Sequence, residues 1–307
     1  MRLLLIGGTG FIGARVAEQL LREGHQVAVV HRGRQRPAPG TLSIVVDRRD
    51  SEALARATAT FEPDGIIDLI AFSVADVDQA LAALPRRLVR LTVISSGDVY
   101  AAYGAFRGLE PPPPDLDAAT EDSALRRSRY PYRAHRATSG DFLHDYDKIL
   151  VEERYRLGSP APVTILRLPM VYGCRDPHRR VGADVERLRA APGGVLTLHP
   201  AEAEWRCTRG YVEDVARAIG LATTHPRALG RTYNVGEQDA LTTAAWLTAM
   251  ADAIGSPTRI VSVPSASPSQ PADWSMPVVT TSDRIRRELG YAEPVGRAEG
   301  LRRSLNQ

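Results

Sequence analysis

Apolar residues recur along the chain as short unbroken runs. Leu3-Leu4-Leu5-Ile6, Gln26 to Val30, Leu42 to Val46, Gly65 to Ile70, Leu91 to Ile94 and Val163 to Leu168 each predict a strand. A run without polar alternation is the mark of a strand buried on both faces, as in a parallel sheet. Between the runs lie stretches with helical spacing, such as Phe11 to Glu23, which Gly24 ends. Strand and helix alternate through the first half, which predicts an α/β fold with a doubly wound parallel sheet. The pattern dissolves from Gly104 to Gly140, with four consecutive prolines, Pro111 to Pro114, and then Arg126, Arg127, Arg129, Arg133 and Arg136. A patternless stretch of that length reads as a lid or a disordered segment. A helix around Lys148 to Arg156 follows. Beyond the strand at Val163, a sheet-like return (Gly230 to Gly236) sits among helical and Pro-rich pieces.

This pattern divides the chain into a dinucleotide-binding part, residues 1–173 with a returning segment at about 208–240, and a smaller substrate-binding lobe. That lobe is woven from residues 174–207 and 241–307.

The first strand runs directly into Gly7-Gly8-Thr9-Gly10-Phe11-Ile12-Gly13. Glycines at this spacing let the chain turn tightly, let its backbone approach a pyrophosphate, and let the next helix pack closely on its strand. The helix that opens at Phe11 and Ile12 aims its positive end at the phosphates. At the end of the second strand an NAD-binding chain carries an acid for the adenosine ribose. Here His31 occupies that place, followed by Arg32. No carboxylate repels a 2′-phosphate and an arginine can pair with it, so NADP is expected over NAD. Asp47, after the third strand, is placed to accept from the adenine amino group. The fourth strand carries Leu69 and Ala71 toward the cofactor.

Composition narrows the rest. Of the 307 residues 43% are hydrophobic and 24% charged, which excludes wholesale disorder. The net charge is +3, with basic residues scattered among 36 acids, so no stripe for nucleic acid exists. The two cysteines, Cys174 and Cys207, make neither a disulfide framework nor a zinc site, and a reducing cytoplasm is the expected compartment. No apolar run approaches the roughly 18 residues of a membrane span. Of the 39 basic Lys and Arg residues, only Lys148 is a lysine. In a chain so strongly biased to arginine, that lysine calls for a chemical reason.

Taken in order, several segments carry a family resemblance. They are Gly7 to Gly13, Asp47, Ser95-Ser96 with Val99-Tyr100, Lys148 with Glu152, and Arg167 to Gly173. Tyr211 to Ala216, Tyr233-Asn234-Val235-Gly236 and Leu289-Gly290-Tyr291 before Gly300-Leu301 complete the set. The chain resembles the extended short-chain dehydrogenase/reductases of the NAD(P)-dependent epimerase/dehydratase group over nearly its whole length. The resemblance implies a Rossmann fold, a nicotinamide cofactor, and a Ser/Thr–Tyr–Lys catalytic set. Ser96 matches the hydroxyl that binds the reacting oxygen. Lys148 matches the lysine that holds the nicotinamide ribose and acidifies the tyrosine. Pro169 falls at the cofactor's edge. A small-molecule substrate, anionic or nucleotide-linked, and a homodimer are also implied; a nucleic-acid or membrane partner is not expected.

The pattern then breaks. The family's tyrosine belongs four residues before the lysine, and His144 stands there; Tyr146 is two before. On one helix, residues four apart share a face and residues two apart do not. His144 is therefore expected beside Lys148, and an imidazole can move a proton near neutrality. An N-cap at Asp145 would instead leave His144 outside the helix and free both geometries. Tyr130 and Tyr132 are further phenols. Asp98 falls where the group's dehydratases carry an acid, but Gly97 replaces the other acidic position. Met170 replaces a polar residue of the group, and Cys207 stands at its usual arginine, leaving Arg206 or Arg209 to bind a substrate diphosphate. The expected activity, by this resemblance, is that of an NAD(P)-dependent oxidoreductase or epimerase of the sugar-nucleotide epimerase/dehydratase type, with hydride transfer at a substrate carbinol or ketone: reduction of a ketone and epimerisation through a transient ketone use the same parts. The alternative from another class is a redox-inactive NADP-binding regulatory or RNA-binding protein on the same fold.

Overall fold

The six apolar runs form six parallel strands, and the returning segment adds a seventh. The computed structural model describes residues 1–85, 89–133 and 142–305. In chain order the first half comprises β1 (Arg2–Ile6), α1 (Phe11–Arg22), β2 (Gln26–His31), β3 (Leu42–Val45), α2 (Ser51–Phe61), β4 (Gly65–Asp68), α3 (Val74–Ala82), β5 (Arg90–Ser96) and α4 (Ala101–Phe106). After them come α5 (Lys148–Gly158), β6 (Val163–Leu168), β7 (Met170–Tyr172), α6 (Arg180–Arg189), β8 (Val195–Leu198), α7 (Pro200–Glu204) and β9 (Arg209–Tyr211). The chain ends with α8 (Val212–Thr224), β10 (Thr232–Asn234), α9 (Thr243–Ala253), β11 (Arg259–Ser262), α10 (Asp283–Leu289) and α11 (Arg297–Leu305).

The main sheet has the order β10-β6-β5-β4-β1-β2-β3, and every pairing is parallel. Successive side chains on a strand point to opposite faces. Leu3 and Leu5 thus join one core with Val16 and Leu20 of α1 and Ile219 of α8, while Leu4 and Ile6 join another with Leu54 of α2, Val77 of α3 and Val151 of α5. Both faces are covered from β2 to β6, which is why those strands carry no polar alternation; the edge strand β3 is largely exposed. The order of strands reverses between β1 and β4, and ligands of such sheets bind in the crevice beyond that point. The returning segment contributes β10 to this sheet. β8 pairs with β11, and β7 with β9, in two small parallel sheets beyond it.

Two expectations need correction. The stretch after Gly104 is packed in large part. Its beginning completes α4, Leu125 bridges to Tyr100 and Ala119 bridges to Thr280. Arg126 is buried, donating to the carbonyls of Asp98 and Ser128 and to the Asp147 carboxylate. Tertiary acceptors, invisible in a run of arginines, give it a home. Arg136 lies outside the described residues. The N-cap before Lys148 is Asp147, not Asp145: its carboxylate accepts from the Ile149 and Leu150 amides. Both His144 and Tyr146 therefore precede the helix, and the i/i+4 rule applies to neither.

Candidate active site

A groove crosses the carboxyl ends of β1, β2, β4 and β5. At one end is a cavity of about 510 Å³ bounded by Gly7, Gly10, His31, Arg32, Arg34, Asp47 and Arg49. It continues past Phe11, Ile12, Gly13, Leu69, Ser96, Lys148 and Pro169 in a further 300 Å³. Glycine is required at two points. Gly7 has φ +90°, and a Cβ there would sit 2.6 Å from Ile70. A Cβ on Gly13 would come within 2.4 Å of the Gly7 carbonyl, so α1 could not approach β1. The helix starts at Gly10 with no side-chain cap, leaving its first amides directed at the groove.

His31 is held by two bonds: its Nε2 pairs with the Ser43 hydroxyl at 2.8 Å and its Nδ1 accepts from the Gly33 amide at 3.1 Å. Asp47 is exposed and accepts from the Arg49 amide. Arg48, which sequence reasoning passed over, is a buried anchor. It grips Asp68 through two bonds of 2.8 and 2.9 Å, and Asp68 also accepts from Tyr155 of α5 at 2.5 Å. Arg48 keeps Asp68 below the usual carboxylate range despite burial. Ala71 is fully buried and meets Lys148 through its carbonyl; its neighbours Ile70 and Phe72 line the groove instead.

At the inner end, Lys148 is 3% exposed. Its ammonium donates to the Ala71 carbonyl at 2.6 Å and the Ile94 carbonyl at 2.8 Å, and lies 4.8 Å from the Phe72 ring centre. Burial pulls its pKa down to about 8, against the attraction of Asp68 and Asp98. An ammonium has three donors, so one remains free to turn toward the groove.

Tyr146 lines the groove beside Ser96 and Lys148, and its phenol donates to Asp98 Oδ2 at 2.8 Å. Burial, then the Asp98 charge, push this phenol well above the ordinary tyrosine range, while a hydrogen bond with Ser96 opposes them. Tyr132 donates to the same Oδ2 at 3.1 Å and pairs with Tyr103 at 2.8 Å. Asp98 is buried, which raises its pKa against Arg126, Tyr146, Lys148 and Tyr132; its Oδ1 has no hydrogen-bond partner among the described residues. The Ser96 hydroxyl accepts from the Asp98 amide at 3.2 Å, which fixes the short turn after β5. Ser95, on the other side of the strand, donates to Glu152, which Arg167 grips through two further bonds.

His144 is not brought to this cluster. Its Nδ1 pairs with Asp145 at 2.9 Å, and its carbonyl accepts from Arg133. The reason is the N-cap at Asp147, whose own backbone is extended: Tyr146, just before the cap, turns inward. Tyr130 serves as backbone, its amide donating to Asp147 while its ring lies 3.7 Å beneath the Arg133 guanidinium. Beyond Ser96 and Asp98 a second cavity of about 200 Å³ opens, bounded in part by Tyr103, Phe106, Tyr132, Met170, Trp205 and Cys207. Arg206 and Arg209 do not line it. Arg209 is buried with its guanidinium 4.4 Å from the Trp246 ring centre, and Arg206 is exposed and donates to the Ala240 carbonyl. The arginine at the junction of groove and cavity is Arg180, which no sequence signal singled out; it donates to the Val171 carbonyl and to Asp176.

An open α/β sheet with a glycine cradle at its switch point, leading to a buried Ser–Tyr–Lys cluster, defines a Rossmann-type oxidoreductase. The chain belongs to the NAD dependent epimerase/dehydratase family, whose model matches residues 3–236. It is 27% identical over 294 residues, covering 90% of this chain and 71% of the other, to a 2'-dehydrokanamycin reductase from Streptomyces kanamyceticus. A UDP-glucose 4-epimerase from Thermus thermophilus, solved with NAD, is 28% identical, covers 100% of this chain and 98% of its own, and superposes with a TM-score of 0.70. A dTDP-glucose 4,6-dehydratase from Bacillus anthracis shares the fold at TM-score 0.71 and 17% identity, over 99% of this chain and 95% of its own. No helix among the described residues is long and apolar enough to cross a membrane.

Proposed function

We propose that this chain is an NADP-preferring oxidoreductase that moves a hydride and a proton at a substrate carbinol or ketone. The observation that carries the proposal is the meeting of Ser96, Tyr146, Lys148 and Asp98 where the glycine-lined groove joins the inner cavity. The cradle at Gly7 and Gly13 fits a pyrophosphate, because any side chain there would fill it. The free arginines Arg32, Arg34 and Arg49, with no ribose-binding acid at His31, fit an adenosine 2′-phosphate. The NAD bound in the Thermus epimerase structure leaves NAD as the second candidate.

When bound, the nicotinamide accepts or supplies the hydride. The chain's own residues do the rest. Lys148 has one N–H left for the nicotinamide ribose. Ser96 donates to the reacting oxygen. Tyr146 takes the carbinol proton at its Oη as it passes its own proton to Asp98 Oδ2; ketone reduction runs the relay backwards. The buried phenol is a poor base alone, and the adjoining carboxylate makes the transfer feasible. Gly97, beside Asp98, supplies no second acid for a dehydration. The redox-inactive alternative would leave this relay without a use. Cys207 is buried and Cys174 is free, which suits a reducing cytoplasm.

The test is Tyr146→Phe and His144→Phe, assayed by nicotinamide absorbance with carbonyl substrates. Tyr146→Phe should lose about 10²–10⁴ in turnover, and His144→Phe should retain wild-type activity. The reverse ranking would refute the assignment. Comparing Michaelis constants for NADPH and NADH tests the cofactor; a tenfold preference for NADH would refute that part.

A further inference from the structure

The inner cavity has one polar end and one apolar end. Ser96 and Asp98 form the first. The second is the inner surface of a small aromatic core in which Phe106 stacks on Trp205, ring centres 4.8 Å apart, and Trp274 meets both edge-on. The polar groups at that end are already engaged. The Trp205 indole N–H donates to the Met276 carbonyl at 2.8 Å, and the Thr208 hydroxyl to the Thr280 carbonyl at 3.0 Å. Burial raises the Cys207 thiol above its ordinary pKa, so it presents a neutral sulfur.

A diphosphate brought here would need cations, because an unpaired buried charge costs several kcal/mol. Among the described residues bounding the cavity the cation is Arg180, which Asp176 already holds at 2.9 Å. Arg206 and Arg209 are turned away, as described above. The volume, about 200 Å³, also falls below the roughly 300–1,000 Å³ of pockets for drug-sized ligands.

We infer that the substrate is a compact, uncharged ketone or secondary alcohol whose body is a single hydrocarbon ring, rather than a nucleotide-linked sugar. The ring packs against Phe106 and Trp205 and the C–O group faces Ser96. This rests on the hydride-transfer reading. In reduction the carbonyl carbon gains a hydride from the nicotinamide cofactor and the carbonyl oxygen gains a proton through Tyr146.

The test uses the full chain with NADPH and NADH for the ketones, and with NADP+ and NAD+ for UDP-glucose, whose carbinols can only give up a hydride. Cyclohexanone and acetophenone are the ring probes and UDP-glucose is the nucleotide probe. Cofactor oxidation, loss of UDP-glucose and tryptophan fluorescence are followed. Expected is a kcat/KM for at least one ring ketone about tenfold or more above that for UDP-glucose. Met170→Trp, which enlarges an exposed residue bordering the cavity, should raise the ketone KM about tenfold with a smaller change in kcat. Arg206→Ala should leave ketone turnover unchanged. Conversion of UDP-glucose without ketone reduction, or loss of activity in Arg206→Ala, would overturn the substrate class and leave hydride transfer standing. Ketone reduction indifferent to Met170→Trp would place the substrate elsewhere and overturn it as well. Cofactor binding with no turnover of any probe would overturn both readings.

Discussion

Replacing Lys148 by methionine separates a chemical role from a structural one. The ammonium is 3% exposed, and its pKa falls from the ordinary 10.5 to about 8. At about 1.4 kcal/mol per unit, that difference is a penalty of about 3 kcal/mol for holding the charged form at neutral pH. Methionine removes this penalty and fills a similar volume. It also strips the donor from the Ala71 and Ile94 carbonyls, which costs about 1–3 kcal/mol each. The terms oppose, so the variant should lie within about 3 kcal/mol of the parent at pH 7. The pH dependence is sharper. Between about 8 and 10.5 the unfolded parent binds the proton that the folded parent has released. Stability of the parent therefore rises with pH across that window, and the methionine variant lacks this rise. Urea melts of both proteins at several pH values, without cofactor, read the difference; tyrosine ionisation is common to both and cancels. Activity should fall at least about 10²-fold, since the charge beside the reacting groups is lost. Parallel pH slopes in the two proteins would refute the buried-charge reasoning. Activity within about threefold of the parent would refute the catalytic assignment.

Three further outcomes follow from the same geometry. Asp98→Asn keeps an acceptor for Tyr146 and Tyr132 but cannot take a proton; alcohol oxidation should drop about 10²-fold or more, and the loss of rate that the parent shows as pH falls through the raised Asp98 pKa should vanish from the profile. Arg126→Met should destabilise by about 3–5 kcal/mol in denaturant melts, because the Asp147 carboxylate would be left buried without its cation; a loss below about 1 kcal/mol would show that the helix N-terminus alone holds Asp147. Arg32→Glu should raise the Michaelis constant for NADPH about tenfold or more while leaving NADH nearly unchanged, and an equal effect on both would remove the 2′-phosphate assignment.

What could be read from sequence followed burial. A parallel strand covered on both faces is mostly apolar, so β1, β2, β5 and β6 announce themselves, although β5 and β6 also bury Thr92, Ser95, Thr164 and Arg167. The Gly7–Gly13 segment does so because sterics at Gly7 and Gly13 admit no other residue. The arginines resisted reading for the opposite reason. Arg126 sits in a run of charged residues that looks solvated. Only tertiary partners distant in sequence, the Asp98 carbonyl and the Asp147 carboxylate, make burial affordable. Arg48 is the same case, fixed by Asp68 twenty residues further on, whereas Arg180 pairs with Asp176 only four residues before it.

The tyrosine proposed for catalysis turned on two residues of helix boundary. With a continuous helix through residue 144, the i/i+4 rule favours His144 and points Tyr146 away. With the cap at Asp147, Tyr146 lies just outside the first turn and its ring stacks near Phe72, centres 6.0 Å apart, where its hydroxyl reaches Asp98. The local signal for that cap was present, an Asp directly before a run of Ile149, Leu150 and Val151, but Asp145 offers the same side chain two residues earlier. What selects Asp147 is again tertiary: Arg126 and the Tyr130 amide bind its carboxylate from the segment that precedes it. The tyrosine's place is thus decided by the same arginine-rich stretch that reads as an idle lid. Arg126 joins the Asp98 turn to the Asp147 cap and so holds acceptor and donor of the Tyr146 proton in one frame.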